Sequence, residues 1–130
     1  MRAFHVSLSG FKEFLESYVD CALWLLTDDN GEPVKGQSEQ DLSPELKDQI
    51  LADCWGFWTE NCHMIGFPHC KAVRTPAQQA GHDFWLTRNG HGAGFWDGNW
   101  TEEIGATLTT RAKVYGPAQW YFGDDGRIYG

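Results

Sequence analysis

The chain has 130 residues, a formal net charge of −8, and an aromatic complement of eight Phe, seven Trp and four Tyr. A chain of that length buries roughly two thirds of its unfolded surface in one core, so a single domain over 1–130 is expected without help from a metal or disulfide. Residues 1–60 hold 12 acidic and 4 basic side chains while residues 61–130 hold 6 of each, a balance that speaks against direct nucleic-acid binding and for a basic partner.

No apolar run approaches the roughly 20 residues of a membrane span, and Met1-Arg2-Ala3-Phe4-His5 does not open a signal peptide, so a cytoplasmic protein with reduced thiols is expected. From Gly10 to about Thr27, Phe11, Phe14, Leu15, Tyr18, Ala22, Leu25 and Leu26 recur at helical spacing, with Lys12, Glu13, Glu16, Ser17 and Asp20 opposite. Ser9 is a plausible cap for this amphipathic helix. Thr27-Asp28-Asp29-Asn30-Gly31-Glu32-Pro33 reads as a turn, followed by a polar surface loop to Leu42.

Ser43-Pro44-Glu45 combines an N-cap with proline at the first helical position. The helix it starts places Leu46, Ile50, Cys54, Phe57 and Trp58 on one face and runs to about Cys62. Met64 to Arg74 reads as a loop, and Thr75-Pro76 starts a short helix ending near Gly81. Asn89-Gly90 between apolar runs then predicts a β-hairpin with a two-residue type I′ turn. In that register Arg88 faces His91, Phe84 faces Phe95 and His82 faces Asp97, while Trp85 lies over Gly94 on the other face. Thr101 caps a further long helix ending at Tyr115-Gly116-Pro117, and Asp125-Gly126 centres a second hairpin. The expected fold is α+β: a small, mainly antiparallel sheet of two hairpins with three main helices packed on one face.

Zinc is suggested by Cys54, Cys62, His63, His69 and Cys70, but the eight-residue intervals between the cysteines do not match the close ligand pairs of structural zinc sites. An acid–base site is suggested by His82 with Asp83 or Asp97, since histidine beside a carboxylate moves protons near neutral pH. Calcium is rejected: the loop from Asp97 has Glu102 and Leu108 where an EF-hand needs glycine and a bidentate glutamate. Gly123-Asp124-Asp125-Gly126 reads as a turn rather than a cation site. No cofactor is expected.

The run from Ala80 to Asp97, AGHDFWLTRNGHGAGFWD, together with Gly123-Asp124-Asp125-Gly126-Arg127-Ile128-Tyr129 and Cys21-Ala22-Leu23-Trp24, resembles a family of short proteins encoded by bacteriophages and other mobile elements. The likeness covers most of the chain from about Tyr18 to Tyr129. It departs at Gly98, where a basic residue is expected, and around residues 62–70, which look particular to this chain. The resemblance implies no activity and no catalytic residue. It implies a small phage or mobile-element accessory protein in the host cytoplasm, binding a host protein such as a nucleic-acid-binding defence component.

The leading expectation is therefore a binding protein rather than an enzyme, contacting a basic host surface through Asp20, Asp28, Asp29, Glu45, Asp48 and Asp53, with Trp85, Arg88 and His91 from the hairpin. A small hydrolase-like enzyme with its site at His82, Asp83 and Asp97 is the alternative. A virion structural or assembly protein is the second alternative.

Overall fold

The computed structural model describes residues 8–65, 73–90 and 92–130. Its elements are α1 (Leu8–Leu25), a 3₁₀ turn at Glu39–Asp41, α2 (Pro44–Ile65), α3 (Pro76–Arg88), α4 (Glu102–Lys113) and a hairpin of β1 (Tyr121–Phe122) and β2 (Ile128–Tyr129). The local start signals operate as expected. Pro44 opens α2, and Thr75 accepts from the Gln78 amide while the Gln78 side chain returns to the Thr75 amide in a capping box. Thr101 accepts from the Ile104 amide at 3.3 Å to start α4. Ser9 lies inside α1 rather than capping it.

The first hairpin is overturned: residues 82–88 are helical, and α3 runs from Pro76 through to Arg88. Gly90 does take a positive φ, +68°, but Asn89 sits at φ −100°. A type I′ turn needs positive φ at both positions, whereas a helix end needs it only at the glycine beyond the cap. Asn89-Gly90 therefore stops a helix, and the pairing of His82 with Asp97 does not form. A helical signal is present in Ala77, Ala80, Phe84 and Arg88, yet it is obscured because α3 is buried on nearly every side, including Gln79, Asp83 and Thr87.

The expected sheet is correspondingly reduced to one two-stranded antiparallel ladder, pairing Tyr121 with Tyr129 and Phe122 with Ile128. Two residues per strand offer no face on which three helices could pack. The helices pack instead on one another. Ile128 is fully buried, bridges Leu42, and accepts the Ser43 amide at 2.8 Å, which staples the hairpin to the start of α2.

The core centres on Phe57 of α2. Its ring stacks on Phe84 of α3 at 4.2 Å, Phe95 of the following loop at 5.8 Å and Phe14 of α1 at 5.9 Å. Such pairs add about 0.5–1.5 kcal/mol each beyond area burial. The backbones of α1 and α3 approach closely at Gly81, where a Cβ would lie 2.1 Å from the Phe14 carbonyl oxygen. Only glycine permits that approach.

Candidate protein-binding groove

Several polar residues of α3 and of the loop after it are tied to the protein's own groups. Asp83 is buried and accepts from Trp100 Nε1 at 2.8 Å and Gln79 Nε2 at 2.9 Å, with His82 Nδ1 at 3.3 Å. Thr87 Oγ1 accepts from the Phe95 amide, and Asn89 Oδ1 accepts from the Ala118 amide. Asp97, expected beside His82, accepts from the Gly94 amide at 3.1 Å and closes a tight turn.

Arg88, expected as a partner contact beside a hairpin turn, is buried. Its Nε donates to the Gly116 carbonyl at 2.8 Å, Nη2 to the Tyr115 carbonyl at 3.2 Å, and Nη1 to both Tyr18 Oη and Asp53 Oδ2 at 2.9 Å. The guanidinium also lies 5.3 Å from the Phe84 ring centroid and 5.7 Å from that of Tyr115. Asp53 Oδ1 accepts from Gln49, so both its oxygens are engaged and Asp53 is not a free surface acid. Burial, the largest influence, pushes the Tyr18 hydroxyl's ionisation well above the ordinary phenol value. Trp85 is buried too, and His91 lies outside the described residues.

The weak zinc candidates are not brought together among the described residues. Cys54 and Cys62 are core side chains of α2, His63 is exposed, and His69 and Cys70 lie outside the described residues. Among the described residues no cluster of three metal-ligating side chains exists. Burial raises the Cys54 thiol far above its usual value and the Cys21 thiol to about 12, so neither offers a thiolate at neutral pH.

A groove of about 680 Å³ lies between α1 and α3; of its lining residues, Glu13 accepts from the Thr75 hydroxyl and Arg74 donates to Gln79 Oε1 at 3.3 Å. The α1 wall carries Glu13, Glu16 and Asp20, at helical spacings of three and four, and ends at Trp24, which is 84% exposed. The facing wall carries Arg74 and His82. Burial, then the neighbouring charges of Glu16 and Glu39, raises the Asp20 carboxyl above its ordinary value. The nearest cationic relief on α1 is Lys12, 4.0 Å from Glu16 with both side chains solvated, and such a pair is weak.

His82 thus has both a groove and an orienting carboxylate. A covalent route would need an activated side-chain nucleophile, and the groove's Ser17 hydroxyl donates to the Gln78 carbonyl at 2.6 Å while burial pushes the Cys21 thiol up to about 12. Of the acids singled out in the sequence, only Asp20 joins the groove. Asp28 accepts two amides of its own loop, from Asn30 and Glu32, while Asp29, Glu45 and Asp48 are exposed on other elements. Glu13, Glu16 and Trp24, which also line the groove, were not singled out, although the spacing of Glu13, Glu16, Asp20 and Trp24 along one helix was available in the sequence.

Comparison of the chain with protein-family models, with curated proteins and with solved structures finds no match.

Proposed function

We propose that this protein works by binding a host protein, using the acidic groove between α1 and α3 against a basic surface. The carrying observation is the row of Glu13, Glu16 and Asp20 leading to the exposed ring of Trp24. Charge of one sign along a concave wall steers a basic partner, and an exposed tryptophan supplies the apolar anchor of an interface hot spot. The resemblance to phage and mobile-element proteins gives this a biological setting, that of a small acidic accessory protein. Its fitting partner is a host nucleic-acid-binding protein, since a phosphate-binding channel is itself basic, and occupation of that channel would give an anti-defence effect. Among the described residues no helix is long and apolar enough to cross a membrane.

The test is co-purification from the native host type with wild-type protein, with Glu16→Lys/Asp20→Lys, and with Asp29→Lys/Asp48→Lys. The expected result is one basic host protein that is retained at low salt, lost at high salt and lost with the groove reversal. Retention by the groove variant, with loss only when Asp29 and Asp48 are reversed, would reject the groove as the binding face.

A further inference from the structure

A second groove, of about 870 Å³, lies on the other side of the α1 C-terminus, and Leu25 lines both it and the acidic groove. It differs in charge: no charged side chain lines it, and its walls combine Leu26, Trp85, Pro117, Trp120 and Tyr121 with the neutral polar Thr27, Asn89 and Gln119. The Trp85 and Trp120 rings meet edge-on at 5.0 Å, and Tyr121 is 58% exposed. The ridge between the grooves consists of Trp24 and Leu25, both solvent-exposed on an otherwise buried helix end. Trp85 is 6% exposed, and its indole N–H is buried with no hydrogen-bond partner among the described residues. Native interiors seldom leave such a donor unsatisfied.

We propose that one segment of the partner spans both grooves, with basic side chains against Glu16 and Asp20 and an apolar side chain, one or a few residues further along, seated between Leu25, Trp85 and Trp120. This inference rests on the acidic groove being the partner-binding face. Charge complementarity orients the segment in the first groove, and the absence of charge in the second selects an apolar side chain there. Trp24 and Leu25 become the covered centre of the interface, which explains two large exposed apolar side chains beside three acids.

The experiment uses the full ¹⁵N-labelled chain and synthetic peptides: a run of four lysines alone, and the same run with one leucine placed two to five residues beyond it. The Trp85 and Trp120 indole resonances are identified by their loss in Trp85→Phe and Trp120→Phe. Both peptide types should shift the Glu16, Asp20 and Trp24 signals. At the best spacing the leucine peptide should bind about tenfold or more tightly than lysine alone, the worth of burying one such side chain, and it alone should shift the Trp85 and Trp120 indoles. Tyr121→Ala, at an exposed position that lines only the second groove, should reduce the leucine increment while leaving lysine binding in place. Lysine binding with no leucine increment at any spacing, or an increment that leaves both indoles unmoved, overturns the two-groove inference alone. No binding of either peptide overturns the acidic-groove reading and this inference with it.

Discussion

Helices α1 and α3 lie against each other, yet they dispose of their polar side chains in opposite ways. On α3, Asp83, Thr87 and Arg88 all point into the protein and join it to the Trp100 ring, the Phe95 amide, the Tyr115–Gly116 turn and Asp53. On the groove wall of α1, Glu16 and Asp20 face solvent, and an exposed Trp24 follows them. The segment richest in suggestive chemistry is therefore scaffold, and the plainer amphipathic helix carries the surface available to a partner. A functional group signals its use through what it leaves unsatisfied, and α3 leaves almost nothing so apart from the Trp85 indole, whose orphaned donor alone costs about 1–3 kcal/mol.

The contrast is broken most directly at Arg88. Arg88→Ala strands the partly buried Asp53 and frees two carbonyls, so unfolding in urea should show a loss of about 3 kcal/mol or more. Arg88→Lys should recover little, because a single ammonium cannot span four acceptors on three sides. A loss under about 1 kcal/mol would mean that Arg88 is not the hub its bonds indicate.

Gly81→Ala comes next. Alanine is normally favoured over glycine in a helix by roughly 1 kcal/mol, but here the new Cβ meets a backbone oxygen at 2.1 Å and neither helix can yield by a side-chain rotation. A net destabilisation of about 1–3 kcal/mol is expected in the same assay. Asp83→Ala removes the acceptor of the buried Trp100 N–H and should cost about 1–3 kcal/mol, with the Trp100 indole resonance shifting in the NMR spectrum.

The smallest effect, and the sharpest contrast, belongs to α1. The Asp20 carboxyl is raised in the folded protein, so between the unfolded and folded values the native state binds more protons than the unfolded one. Its contribution is thus fully present below the unfolded value and is lost as pH rises through the folded one. Asp20→Asn removes that loss. Stability at neutral pH should rise by no more than about 0.5 kcal/mol, with no difference from wild type near about pH 3, while partner binding weakens. Thermal melts across pH give the first quantity and co-purification the second. A large destabilisation instead would place Asp20 with the α3 scaffold.

Much of the helical framework was legible because its signals are local. Proline after Ser43 and Thr75, and threonine before Glu102, restrict a few consecutive dihedrals, and the α2 positions Leu46, Ile50, Cys54, Phe57 and Trp58 follow from 3.6-residue spacing and are all buried. Asn89-Gly90 misled because one positive φ serves either a hairpin or a helix end, and the choice lies with what surrounds Phe84 and Trp85. Arg88 looked solvated because its partners are 35 and 70 residues away, at Asp53 and Tyr18. The fully engaged Asp53 looked equivalent to the exposed Asp20 for the same reason.

Taken alone, the sequence determined where α2, α3 and α4 begin, which faces of α1 and α2 turn inward, and that negative charge gathers in the first half of the chain. These depend on neighbouring dihedrals, residue spacing and simple addition of charge. Tertiary structure decided that residues 82–88 are a buried helix, that Arg88, Asp53 and Asp83 are internal ties, and that Glu16 and Asp20 remain facing a groove. Burial and pairing are properties of contacts between distant segments, and the same aspartate becomes a tie or a free charge according to which of them reaches it.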